Sequence, residues 1–111
     1  MKKILVSTSI AALIIGCAGS KILIPTQVDA DRAKTKLPDI TVADLTEGKV
    51  IYEEKCTTCH GLYKPNSQST EGWNKIVPEM TRKANKNTVK IDPRQEKLIL
   101  QYLVTMGDVP K

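Results

Sequence analysis

Phenylalanine is absent from this 111-residue chain, and the aromatic complement is one tryptophan and three tyrosines. Aromatic side chains usually supply much of the buried area of a small domain, so a core made from this composition alone is thin and calls for a filler. Histidine is as scarce: His60 is the only one, and no cysteine follows Cys59. A closed zinc site takes four Cys or His ligands, and the chain cannot assemble a second ligand pair downstream of residue 60. Strand-like alternation and internal repeats are missing too. The longest apolar run covers residues 4–15, short of the roughly 20 residues that a spanning helix wants. The basic excess is also smaller than it looks. Formal net charge is +5, with 17 Lys and Arg against 12 Asp and Glu. Loss of a leader carrying Lys2 and Lys3 reduces it to +3, which does not make a nucleic-acid footprint.

What is present is concentrated in one pentapeptide, Cys56-Thr57-Thr58-Cys59-His60. On a helical turn, positions i, i+3 and i+4 share a face, so two thiols and an imidazole point the same way. That C-x-x-C-H order reads as a c-type haem attachment site. Cys56 and Cys59 supply thioethers to the haem vinyl groups, and His60 takes the proximal position on iron. A redox dithiol of the thioredoxin kind belongs after a strand in a βαβ pattern, whereas the residues ahead of Cys56 read as helix.

The third cysteine bears on location. Lys2 and Lys3, the apolar residues 4–15 and Gly16-Cys17-Ala18 follow the charged, apolar, small-residue order of an export signal. Ile14-Ile15-Gly16-Cys17 resembles a bacterial lipobox, which implies cleavage before Cys17 and a lipid on its sulfur. The alternative is an uncleaved amino-terminal anchor, because extending the segment to Ser20 approaches spanning length. Either way the protein is expected to be exported, held at a membrane and facing the periplasm. Three cysteines used as one lipid anchor and two thioethers leave none for a disulfide.

The expected organisation is a signal peptide over residues 1–16, a lipidated amino terminus and tether over 17–39, and a folded haem domain over 40–111. Residues 18–38 show no sustained period. Within them, the apolar residues 22–24 are too few for a helix; they either lie along the domain or rest on the membrane. Thr41 or Asp44 offers the cap of a first helix carrying Leu45, Val50, Ile51 and Tyr52, in which Gly48 suggests close packing. A Gly, Pro, Asn and Ser-rich loop follows His60. Trp73, Ile76, Val77 and Met80 then fall on one helical face, with Pro78 expected to bend or restart that helix. Asp92-Pro93 opens a closing helix with Leu98, Ile99, Tyr102 and Leu103 on its apolar stripe, Met106 near its end and Gly107 as its stop.

Taken together, the C-x-x-C-H turn after an amphipathic helix and the Ile99-Leu100-Gln101-Tyr102-Leu103 run on a closing helix resemble the small single-haem class I cytochromes c. The Trp73 and Met80 spacing and the lipobox are similar to a bacterial lipoprotein subset. The resemblance implies an all-α, cytochrome c-like domain wrapped around one covalent haem c. It implies Cys56 and Cys59 as the thioethers and His60 as the proximal ligand. Leu62 and Pro65 are implied to line the proximal side, with a carbonyl near Pro65 accepting the His60 Nδ1 proton, and Trp73 to lie near the haem edge. Met80 is the implied distal ligand, because it precedes the closing helix; Met106, at that helix's end, is the alternative.

A haem iron held by His60 and Met80 has no vacant position for substrate, so electron transfer is expected and enzymatic turnover is not. The leading expectation is a lipid-anchored carrier serving membrane-associated or periplasmic redox proteins. A fixed haem subunit of a respiratory or dehydrogenase complex uses the same chemistry. A haem enzyme or gas sensor with a labile sixth ligand is a further class, disfavoured by the lack of a second histidine. Residues 74–111 carry eight bases and four acids, and Arg82, Lys83, Lys86 and Lys90 lie close together there. This basic run suits either a solvated face or a docking patch for an acidic redox partner.

Overall fold

The computed structural model describes residues 23–56 and 62–109. Along them run α1 (Gln27–Ala33), α2 (Val42–Cys56), a 3-10 turn at Pro65–Ser67, α3 (Thr70–Lys86) and α4 (Pro93–Gly107), with no strand among the described residues. The all-α expectation holds.

Each long helix starts where a short polar side chain can satisfy its free amide hydrogens. Thr41 Oγ1 accepts from Asp44 N and Asp44 Oδ2 accepts from Thr41 N, both at 3.1 Å, a reciprocal capping box. Ser69 Oγ accepts from Gly72 N at 3.0 Å at the head of α3. At α4, Asp92 Oδ1 accepts from Gln95 N at 2.8 Å and Gln95 Oε1 from Asp92 N at 3.0 Å, with Pro93 in the first helical position.

The core is built on α2 crossing α4. At Gly48 an added Cβ would stand 2.2 Å from the Leu98 carbonyl oxygen and 3.0 Å from Tyr102 Cβ, so only hydrogen fits at the crossing. Around that contact Ile51, Tyr52, Leu98, Ile99, Tyr102 and Leu103 are buried together with Trp73 and Val77 of α3. Tyr52 and Tyr102 pack at 6.2 Å between ring centroids, tilted by 44°. Val50, assigned above to the inward stripe, is 44% exposed. Helical rotation turns it outward once Gly48, Ile51 and Tyr52 face α4.

Two further details refine the expectation. Pro78 does not restart α3, which runs unbroken from Thr70 to Lys86. Having no N–H, Pro78 cannot donate to the Asn74 carbonyl, but both residues are exposed and water can serve that oxygen. Gly107 stops α4 as expected, but without a left-handed backbone, since no described glycine has a positive φ. It is the last residue of α4, where an added Cβ would come 2.9 Å from the Pro65 carbonyl oxygen. Its smallness lets the 3-10 turn press against α4.

The largest difference lies in the expected tether. Residues 23–40 are folded onto the domain, with α1 packed on α2 and α4. Asp29 Oδ2 accepts from Thr26 N at 2.8 Å and Thr26 Oγ1 at 2.9 Å, while Pro25 and Ala30 are buried on either side of that cap. Arg32 bridges Asp29 at 2.9 Å and donates to the Thr105 carbonyl at 3.0 Å. Ala30, Ile40 and Leu45 form a small core of their own.

Burial pushes the Asp29 carboxyl up, but the bonds from Thr26 and Arg32 outweigh it and hold its pKa below the ordinary value. A depressed folded-state pKa gives stability that is present above the unfolded value of about 3.9 and is lost as pH falls through the lower folded one. Asp29→Ala is therefore expected to cost roughly 1–3 kcal/mol at neutral pH. The gap from wild type should close in strong acid, as read by denaturant unfolding at both pH values.

Candidate cofactor cleft

The last residue of α2 is Cys56, half-buried, and its thiol borders a cleft of about 590 Å³ between α2, α3 and α4. α3 contributes Trp73, Val77, Met80, Thr81 and Ala84, which recur at helical spacing on one face, and α4 contributes Ile99 and Leu103. Tyr52 closes the α2 side. The connection from α3 to α4 forms the remaining wall, and Asn85 shapes it. Its side-chain amide donates to the Ile91 carbonyl at 3.0 Å and accepts from Ile91 N at 2.7 Å, pinning a loop that carries Thr88, Val89 and Ile91 into the lining.

The interior is electrically quiet. Burial pushes the Cys56 thiol up to about 11, and burial followed by the neighbouring Cys56 pushes the Tyr52 phenol up to about 12. Both groups are neutral at physiological pH, and the Tyr52 hydroxyl donates to the Tyr63 carbonyl at 2.7 Å. Charge sits at the rim, where Lys55 and Lys83 line the opening.

Trp73 is 2% exposed, and its indole Nε1 donates to the Pro65 carbonyl at 2.7 Å within the core. The expected bond from His60 Nδ1 to a carbonyl near Pro65 thus meets an oxygen that already holds the indole in place. Pro65 and Leu62, expected against the cofactor, do not border the cleft. Pro65 is buried beneath Trp73 and Gly107, and Leu62 packs at the edge of the main core.

The two candidate methionines separate cleanly. Met80 lines the cleft, whereas Met106 is 2% exposed within the main core and does not border it. The structure thus brings Cys56, Trp73 and Met80 to one cavity. Cys59 and His60, and Cys17 at the other end, lie outside the described residues. Sequence reading missed Tyr52, Thr81, Ala84, Ile99 and Leu103 as cleft residues. The i, i+4 steps from Trp73 to Val77 and Thr81, and from Ile99 to Leu103, were the available signal.

These residues fit a haem. The cavity lies within the roughly 300–1,000 Å³ of ordinary ligand sites. Its walls are apolar, a thiol stands at one side and a thioether sulfur on another helix, and no cluster of three or more His, Cys, Asp or Glu suits a bare metal ion among the described residues. Among known proteins, a family model described as dihaem cytochrome c matches residues 52–109, a span that contains the C-x-x-C-H turn and every residue lining the cleft. No curated protein and no solved structure matches the chain.

Proposed function

The chain belongs to the dihaem cytochrome c family, and from that premise we propose that it is a single-haem electron carrier held at a membrane by a lipid on Cys17. The observation that carries the reading is the cleft, in which Cys56 and Met80 share one apolar cavity next to the only C-x-x-C-H turn. One haem, in place of the family's two, follows from the residues available. A second covalent attachment needs a second thiol pair and its own axial histidine, and Cys17 is the only cysteine left over.

Bound haem supplies a one-electron iron couple. The chain's own residues set its terms. Cys56 and Cys59 would hold the haem covalently through their sulfurs. His60 and Met80 would hold its iron, which would keep substrate away and, through the methionine sulfur, favour the reduced state. Trp73, fixed by Pro65, and Val77, Ile99 and Leu103 exclude water, so little solvent reorganises when the charge changes. The signal at residues 1–16 and the lipid on Cys17 place this chemistry on the exported side of the membrane.

Docking falls to the basic rim, although the predicted cluster is weaker than its composition suggests. Arg82 is committed to Glu79 at 2.6 Å, and Lys90 donates to the Asn85 carbonyl at 2.5 Å. Lys83 stands farther from the same Glu79, at 3.7 Å, and borders the cleft itself, where its charge steers an acidic redox protein toward the cofactor. Reduced holoprotein is expected to deliver one electron per chain to such a partner, at a rate that falls with salt. Lys83→Glu with Lys86→Glu should slow it at low ionic strength and change it little at high, where screening reaches about 3 Å. Two electrons per chain would overturn the single-haem reading, and a rate indifferent to salt and to both substitutions would remove the rim from docking.

A further inference from the structure

Of the large apolar side chains exposed among the described residues, Leu23, Ile24 and Val28 fall within one six-residue window, and the others, Val50 and Tyr63, lie apart in sequence. Ile24 is 75% exposed and Val28 72%. Their neighbours Pro25, Asp29 and Ala30 are buried, so this short segment turns one side to the domain and exposes the three apolar side chains together with Thr26 and Gln27. The inner face is firmly held. The Tyr102 hydroxyl donates to the Leu23 carbonyl at 2.8 Å, and Arg32 ties α1 to the Thr105 carbonyl.

This attachment changes the geometry of the anchor. A free tether from Cys17 to residue 40 could span about 80 Å at roughly 3.5 Å per residue. With the chain held to the domain from Leu23 onward, only six residue steps separate the anchored sulfur from the domain, a reach of about 20 Å. The exposed apolar side chains therefore sit on the part of the domain nearest the bilayer.

We propose that Leu23, Ile24 and Val28 seat the domain on the lipid surface, so that it lies against the membrane at a fixed height. This rests on the lipid anchor at Cys17. Apolar side chains carry the seat: of the cations in and after α1, Lys34 and Lys36 are paired with Asp31 and Asp108 at 3.1 and 3.5 Å. Tyr102, which holds Leu23, packs on Tyr52 in the cleft wall. The same segment that meets lipid thus fixes the height of the cofactor, and the electron partner must present its own redox centre close to the membrane.

The test uses full-length lipidated holoprotein in vesicles of phosphatidylethanolamine and phosphatidylglycerol. In that protein all three native cysteines are blocked, so a nitroxide can be placed at Val28→Cys or, as reference, at Lys86→Cys. The label at 28 is expected to be more accessible to oxygen than to a water-soluble nickel chelate, and the label at 86 the reverse. Adding Ile24→Asn to the Val28 label should move it toward the aqueous pattern without releasing the protein, and raised salt should change neither. Exposed substitutions of this kind usually leave stability nearly unchanged, and an unchanged haem spectrum checks the fold. A label at 28 as aqueous as the label at 86, in protein that sediments with vesicles and carries acyl mass on Cys17, overturns the seat alone. A chain without acyl mass that stays in the supernatant removes the anchor itself and the seat with it.

Discussion

A chain with both Cys56→Ala and Cys59→Ala is expected to lose haem staining on denaturing electrophoresis and, with it, cooperative unfolding. The two losses have one cause. The cavity beside Cys56 measures about 590 Å³ and is walled by Tyr52, Trp73, Val77, Ile99 and Leu103, all of them buried core residues. In a domain with no phenylalanine, the cofactor is the largest apolar body available to fill that space. Leaving it empty forfeits dispersion contacts along every wall. Iron ligation couples to folding in the same way, so His60→Ala should also fail to mature. Haem that extracts from the wild-type protein into acidic organic solvent, or a His60→Ala protein with an unchanged spectrum, would contradict this.

Exchanging the two methionines should separate chemistry from packing. Met80→Ala opens the sixth position, lowers the reduction potential by removing a ligand that favours reduced iron, and lets carbon monoxide bind. Met106→Ala does none of these. Met106 is 2% exposed among core side chains, so its truncation should cost roughly 2–5 kcal/mol of stability and leave the potential in place. Met80→His should restore six-coordination at a potential below that of wild type. Potentiometric titration together with denaturant unfolding on the three variants reads both effects.

The sequence made these residues legible to different depths. The Asp92-Pro93 start of α4 and the start of α2 at Thr41 or Asp44 could be read because each uses a local rule that tertiary contacts do not override, and at α2 the two residues cap reciprocally. The i, i+4 recurrence of Leu98, Tyr102 and Met106 marked the buried face of α4, and all three are buried. Helix α1 escaped because seven residues are too few for a period; only the Thr26 and Asp29 pair, three apart, signalled its start. The place of Gly107 could be read, since α4 ends there, but not its cause, the Pro65 carbonyl 2.9 Å from where a Cβ would stand, a contact between residues 42 positions apart. The loop wall of the cleft was hidden for a similar reason. No local pattern marks Asn85, and only the fold shows its amide bracketing Ile91. Methionine choice depended on which side of α4 faces the cavity, so chain order favoured Met80 and the geometry places it on the cleft wall.

The central claim is that one haem occupies this cleft with His60 and Met80 on its two faces. The optical spectrum of the oxidised, purified holoprotein tests it most directly. A methionine–iron charge-transfer band that is present in wild type and Met106→Ala and absent in Met80→Ala is the expected result. A band that survives Met80→Ala and disappears in Met106→Ala would contradict it.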